Sequence, residues 1–249
     1  MKRSNSTTQR LFRDAGISKG MRILELGCGP GEVTEVLADL VGEGGSVLAL
    51  DRSDEVLATA TTRLDGAQNV EFARADLNGA PSYLEGRAQS SFDAIAGRRV
   101  LMYLEEPATT LAGLRPWLRR GGLVVFEEAD ATLCPGRVQA LPAHDRALDL
   151  LDKMLEAEGA NRSMGFHLPA TFIRAGLQFE RIWAEAVVEG QGDQFPLAEL
   201  IALLSSRLVA AGVAEAAEID ALPALINAEV DPAIVFLSSM RFCAAARNP

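Results

Sequence analysis

The stretch MRILELGCGPGEVTEVLADL, residues Met21–Leu40, decides the fold. Its first part, Arg22–Leu26, is a short apolar run of strand type, and Glu32–Val41 carries the spacing of an amphipathic helix. Between them stand glycines at 27, 29 and 31. Residues without a Cβ let a chain turn sharply and lie close to a ligand, while the amides that open the following helix face it. The loop therefore reads as a ligand cradle. A dinucleotide fingerprint, GxGxxG, would need a third glycine at Glu32 counting from Gly27, or at Thr34 counting from Gly29, and neither position has one.

Outward from this stretch, strand candidates alternate with helix candidates: RILEL (22–26), SVLAL (46–50), VEFAR (70–74), FDAIA (92–96) and LVVFEE (123–128), with helices at 32–41, 54–64 and 107–119. That rhythm predicts an α/β fold, a doubly wound, mostly parallel sheet of seven strands. The third helix is expected to stop at Gly121 and Gly122. After Glu128 the rhythm breaks. A loop leads to a helical stretch at 146–160, and PATFIRAGL predicts a helix opened by Pro169 and closed by Gly176. A strand at 178–188, a polar turn at EGQGDQ, aliphatic helices over 196–227 and a final strand in AIVFLSSMRFCAAAR complete the chain. The expected organisation is an N-terminal helix at 1–20, a ligand-binding core at 21–130, an inserted helical cap at 131–176, and core completion at 177–249 with a second cap segment at about 195–230.

The chain has 249 residues, 48% of them hydrophobic, enough for a substantial core. Its formal net charge of −10 repels phosphate backbones, and no basic stripe interleaves with aromatics, so nucleic acid is not the expected partner. A small molecule is. The N-terminus lacks the apolar run of a signal peptide, and no window approaches the roughly 18 apolar residues of a membrane span, so a cytoplasmic protein without membrane partners is expected. Cys28, Cys134 and Cys243 are far apart and without CxxC spacing, which outlines neither a disulfide framework nor a metal site. The segment PLAELIALLSSRLVAAGV (196–213) reads as core or as the face of a homodimer.

Glu25–Gly31, ELGCGPG, fits the pattern E/DxGxGxG and resembles the first motif of class I S-adenosylmethionine-dependent methyltransferases, in particular the bacterial small-molecule type of secondary metabolism. Further motifs follow in the family's order: Asp51 ends the second strand, ARADL puts Asp76 and Leu77 after the third, Gly97 and Arg98 end the fourth in FDAIAGRRVLMYLEEP, and LRRGGLVVFEE resembles the glycine turn into the fifth. The resemblance implies a Rossmann-like methyltransferase fold whose last strand is antiparallel. It implies S-adenosylmethionine as cofactor and S-adenosylhomocysteine as product. The cofactor would be held by Glu25, Gly27, Cys28, Gly29, Gly31, Asp51 with Arg52, Asp76 with Leu77, Gly97 and Arg98. The reaction would be in-line methyl transfer to a small, partly apolar acceptor under the cap. No NPPY or DPPY element follows the fourth strand, which argues against methylation of nucleic-base amino groups.

Several of these residues admit a plainer role. Asp51 either accepts hydrogen bonds from ribose hydroxyls or caps the next helix, a task for which Ser53 competes. Asp76 either meets the adenine or turns the chain before Asn78-Gly79. Cys28 lacks a histidine partner and reads as packing. His144 is either a general base or a helix-start residue, and His167 a capping or loop residue. Glu127 and Glu128 end a strand where open α/β sheets bind ligands; their side chains alternate, so one faces the site, as base or as acceptor guide. Arg98 and Arg99 alternate likewise: Arg98 is expected at the cofactor, against an ion pair with Glu105 or Glu106. The resemblance also implies that the N-terminal helix folds over the cofactor as a lid, with Gln9 or Arg10 at the cofactor's methionine end. Two rival functions share the same sheet: an NAD-dependent oxidoreductase, and a protein that binds S-adenosylmethionine without transferring its methyl group, as a scaffold or a catalyst of a rearrangement.

Overall fold

The structure is a computed structural model that describes residues 2–78, 82–86, 89, 91–133, 136, 138–190, 196–229, 231 and 235–249. Cys134, Gly79 of the expected turn and most of the EGQGDQ turn lie outside these residues.

Helix α1 (Lys2–Ala15) precedes β1 (Arg22–Leu26), α2 (Glu32–Val41), β2 (Ser46–Asp51), α3 (Asp54–Arg63), β3 (Val70–Arg74), β4 (Phe92–Arg98), α4 (Pro107–Leu114) and β5 (Leu118–Ala129). Then follow α5 (Pro142–Ala157), α6 (Met164–Arg174), β6 (Gln178–Gly190), α7 (Pro196–Leu203), α8 (Ser205–Ala210), α9 (Ala216–Ala228) and β7 (Val235–Arg247). The strands form one sheet in the order β3-β2-β1-β4-β5-β7-β6. The pairs β1–β2, β2–β3, β1–β4 and β4–β5 are parallel. At the other end Asn248 exchanges backbone hydrogen bonds with Gly121 and Gly122, so the close of β7 meets the start of β5 and the two strands run antiparallel.

Two compact units divide the chain. The first comprises 1–128, 164–183 and 242–249; the second comprises 129–163 and 184–241. The stretch 131–176 is thus shared out, with α5 in the second unit and α6 in the first. Within the first unit Phe172 of α6 stacks obliquely on Phe126 of β5, centroids 6.2 Å apart, and Phe166 lies 4.7 Å from Phe242 of β7. A Cβ on Gly165 would come within 2.5 Å of the Phe242 ring, so the glycine is what lets α6 approach this closely. Its core gathers Leu11 and Phe12 of α1, Val33, Val36 and Leu37 of α2, Ile23, Val47, Ala94 and Val125 of the sheet, and Cys28 and Cys243. In the second unit Ala147, Leu150 and Met154 of α5, at helical spacing, join Ile201, Leu208, Leu222 and Ile226 in a separate core.

Two expected boundaries are corrected. The helix from Pro107 ends at Leu114 and not at the glycine pair: Pro116 has no amide to give Ala112 and opens a tight turn, after which β5 begins at Leu118, with Gly121 and Gly122 inside it. Pro169 does not open its helix. It lies inside α6, which starts at Met164, where the missing amide costs only the bond to the Gly165 carbonyl.

Candidate functional site

Strand order reverses between β1 and β4, and the ends of these strands carry the glycine loop and the Arg98–Leu101 turn. Gly27, Gly29 and Gly31 all have positive φ, at 64°, 55° and 83°. A side chain would meet different surroundings at each. A Cβ on Gly27 would sit 2.5 Å from Val100 Cγ2, so the loop touches the turn after β4; one on Gly31 would crowd Ala60 and Leu64 of the α3 segment; one on Gly29 would meet no protein atom within 4 Å. The first and third glycines serve packing. At Gly29 the backbone faces open space, which is where a ligand can approach. Gly97, at the end of β4, has no room either: a Cβ would lie 2.7 Å from Phe126 and 2.9 Å from the Leu26 carbonyl.

Asp51 clamps the loop. One carboxylate oxygen accepts the Gly29 amide at 2.9 Å and the other the Ser53 amide at 3.1 Å. Ser53 takes the capping role, its hydroxyl accepting from the Val56 amide at the start of α3. A carboxylate with two amides bound retains acceptor capacity, about four lone-pair positions in all, so the clamp leaves Asp51 able to receive hydroxyls. Arg52 is exposed, its carbonyl accepting from Arg74. Asp76 is exposed and accepts the Asn78 amide in a local turn, while Leu77 is buried and its carbonyl accepts the Thr110 hydroxyl.

Beneath the loop lies a buried charged cluster. The Glu25 side chain is wholly enclosed, and neither of its oxygens has a hydrogen-bond partner among the described residues. Burial pushes its proton affinity up to about 8; the Thr34 hydroxyl, close by but short of hydrogen-bond geometry, and the Arg98 charge pull it back, and Asp51 pushes it further up. Arg98 is nearly enclosed, its side chain 9% exposed, and donates to the Thr8 hydroxyl of α1 at 3.0 Å and to Glu32 of α2 at 3.1 Å. Its ion pair is thus with Glu32, whereas Arg99 is exposed. On α1 the Thr8 side chain, one position before Gln9, reaches this cluster. Burial raises the Cys28 thiol well above its ordinary range, as befits a packed, inert cysteine.

At the end of β5 Glu128 is buried and its Oε1 accepts the amides of Val100, at 3.0 Å, and Leu101, at 2.8 Å. Burial outweighs these two bonds and lifts its proton affinity to about 8. Glu127 is also buried, at 2% exposure, and its carbonyl accepts the Arg99 amide.

The second unit holds the other candidate. His144, the third residue of α5, is buried, with Nδ1 2.6 Å from Glu229 Oε2. The same carboxylate accepts the amides of Ala143 and His144, so it caps α5. Burial raises the Glu229 proton affinity, but these amides and the imidazole outweigh it and hold the group below the ordinary carboxylate value. His167 is exposed on α6. Sequence reasoning did not select Thr8, Glu32, Thr34, Val100 or Glu229, because their partners lie between about 9 and 90 positions away; the one local signal was Glu32 standing where a dinucleotide loop has glycine.

A family model described as "Methyltransferase domain" matches residues 17–176. The malonyl-[acyl-carrier protein] O-methyltransferase of Paenibacillus sp. (strain JDR-2) is 35% identical over 107 residues, 42% of this chain and 37% of that protein. The first curated relatives are matched over only 31–37% of their own length. Among solved structures, the [4+2]-cyclase SpnF has the same fold with a TM-score of 0.63 at 18% identity, covering 98% of this chain and 81% of that one. A geranyl diphosphate methyltransferase solved in complex with S-adenosylmethionine does so with a TM-score of 0.59 at 14% identity, covering 98% and 85%. Among the described residues no helix is long and apolar enough to cross a membrane.

Proposed function

Since the chain belongs to the class I S-adenosylmethionine-dependent methyltransferases, we propose that it binds S-adenosylmethionine at the carboxyl ends of β1, β2 and β4 and transfers its methyl group to a small, partly apolar acceptor. The observation that carries this reading is the glycine loop: a left-handed Gly29 with open space above it, clamped by a carboxylate that keeps acceptor capacity. These residues suit the cofactor. Asp51 would take the ribose hydroxyls, Asp76 and Leu77 would border the adenine, and Gly27–Gly31 would lie along the chain between the adenosine and the amino acid. Arg98 and Glu25 would set the charge under the amino-acid end.

The cofactor supplies an activated methyl group on a sulfonium, an excellent leaving group. The protein's own work is then to fix the reacting atoms in line, about 3–3.5 Å apart, and to exclude water. The loop does the fixing on one side, since its three left-handed glycines are held by Asp51, Val100 and α3 and need no reordering on binding. An acceptor that is protonated at working pH also needs a base. Two residues are proposed for it. Glu127 lies near the end of β5, and His144 is oriented through Nδ1 by Glu229, a carboxylate–imidazole pairing that fixes the tautomer.

Glu32 supports this reading over an NAD-dependent one, because it occupies the third glycine position and its carboxylate is committed to Arg98. A second reading is binding without methyl transfer, prompted by the shared fold of a [4+2]-cyclase. Calorimetric titration with S-adenosylmethionine, S-adenosylhomocysteine and NAD in parallel tests the cofactor assignment, and NAD binding alone would overturn it. Release of S-adenosylhomocysteine in the presence of acceptors separates transfer from mere binding. In Asp51→Ala the loop loses both amide contacts and the ribose its acceptor, which should weaken S-adenosylhomocysteine binding by about 1–3 kcal/mol; unchanged affinity in a folded variant would refute the role of Asp51.

A further inference from the structure

We propose that Arg99 is an anion-recognition residue for the methyl acceptor, so that the acceptor carries a carboxylate or a phosphate group. This rests on the methyl-transfer reading above and adds the chemical class of the second substrate.

Position comes first. In open α/β sheets ligands bind at the carboxyl ends of the strands where the strand order reverses, here between β1 and β4. Arg99 immediately follows β4, and its neighbour Val100 packs against Gly27 of the glycine loop. The arginine therefore stands on the β4 lip of that crevice.

Its backbone is the second observation. Arg99 has φ 51°, and among the described residues it is the one non-glycine residue in the left-handed region. For a residue with a Cβ this costs about 1–2 kcal/mol, and such residues persist where the surroundings over-determine them, commonly at ligand sites. The surroundings do so here. Three consecutive amides are bound by the end of β5: that of Arg99 by the Glu127 carbonyl, and those of Val100 and Leu101 by the Glu128 carboxyl. A glycine would adopt this turn without strain, yet the position carries a long cationic side chain whose root is fixed by β5.

The guanidinium is the third. Arg98 spends its charge on Glu32, but the exposed Arg99 side chain has no ion pair or hydrogen bond among the described residues. The Arg99 charge acts on the nearby Glu128 carboxyl, but that group is buried and its Oε1 accepts the Val100 and Leu101 amides, so the two form no ion pair. In a chain of net charge −10, an exposed cation beside the cofactor crevice, with no ion pair among the described residues, is suited to an anionic ligand. A guanidinium fork takes carboxylate and phosphate oxygens two at a time, which gives both orientation and selectivity.

The test is arginine footprinting with phenylglyoxal, read by peptide mass spectrometry, on the full chain saturated with S-adenosylhomocysteine. Benzoate, inorganic pyrophosphate and neutral benzamide are added in separate arms. Arg120, exposed at the opposite end of β5, is the internal control. Benzoate or pyrophosphate should slow modification of Arg99 by about threefold or more relative to benzamide and leave Arg120 unchanged, as expected of a charge-assisted bidentate contact. Protection by benzoate alone points to acidic acceptors, and protection by pyrophosphate alone to phosphorylated ones. Equal rates at Arg99 in all arms, or equal protection of Arg120, would overturn the proposal. The Arg99→Gln variant should keep its affinity for S-adenosylhomocysteine while losing any added thermal stabilisation by the effective anion. Failure to bind S-adenosylhomocysteine would instead strike the methyl-transfer reading, and the same footprint on the free protein would still report on the anion site.

Discussion

Replacing Glu25 by glutamine should change how stability depends on pH, and the size of the change follows from its burial. In the folded chain Glu25 holds its proton up to about pH 8, against an ordinary value of 4.5. Between these values the unfolded chain has released the proton and the folded chain has not. A carboxyl raised on folding contributes stability that is fully present below the unfolded value and is lost as pH climbs through the folded one. The slope is about −1.4 kcal/mol per pH unit for one such group, and the full excursion is roughly 5 kcal/mol. Glu128, also raised to about 8, adds a second, similar slope. The wild-type protein should therefore lose stability steadily from about pH 5 to pH 8. Glutamine has nearly the same shape and nothing to titrate, so Glu25→Gln should remove about half of that slope. Isothermal denaturation with urea at about pH 5.5, 6.5 and 7.5 measures it, because any packing difference between the side chains is independent of pH and cancels in the comparison. The gap between variant and wild type should widen by about 1.4 kcal/mol for each unit of rising pH. Parallel curves for the two proteins would refute the assignment of a protonated Glu25 beneath the glycine loop.

Other outcomes follow from the same geometry. Gly29→Ala meets no protein atom, so it should fold with a loss of about 1–2 kcal/mol from its left-handed φ; yet its methyl enters the open space over the loop, and calorimetry should find S-adenosylhomocysteine affinity reduced well beyond that seen for a surface substitution. Gly27→Ala collides with Val100 at 2.5 Å and should cost more in melting temperature than Gly29→Ala; the reverse order would contradict the division of labour between the two glycines. Glu229→Gln keeps a hydrogen-bonding group at the start of α5 but removes the charge facing His144, so if His144 is the base, kcat with an acceptor that must lose a proton should fall while S-adenosylhomocysteine affinity stays unchanged; unchanged kcat would set His144 aside as the base.

What was legible in the sequence was what neighbours decide. β1 and α2 begin and end where the apolar run and the helical spacing of Arg22–Val41 place them, because the change of period and the three glycines all lie within one short segment. The α/β class and the mostly parallel sheet followed from the alternation of strands and helices, whereas the strand order came only with the structure. Boundaries failed at Pro116 and Pro169, where tertiary setting decides whether a proline ends a helix or is carried inside it. The partners within the site were hidden for a different reason. The bonds that shape it join residues far apart in the chain: Asp51 to the Gly29 amide across 22 positions, Glu128 to Leu101 across 27, Arg98 to Thr8 across 90, His144 to Glu229 across 85. Residue type offered a candidate at one end of each pair, and nothing in the local pattern identified the other.

Glu32 joins the two kinds of information. As a letter in the sequence it is a departure, a carboxylate where the dinucleotide loop requires a glycine for close packing of helix on strand. In the fold it opens α2 and holds Arg98, which also binds Thr8 and so ties α1 to the end of β4. A glycine there would restore the dinucleotide pattern and at the same time remove the Glu32 carboxylate from a nearly enclosed guanidinium. The residue that departs from the dinucleotide pattern is thus one that pairs with the cation beneath the loop, and Glu32→Gly should loosen the tie between α1 and the end of β4, read as a lowered melting temperature.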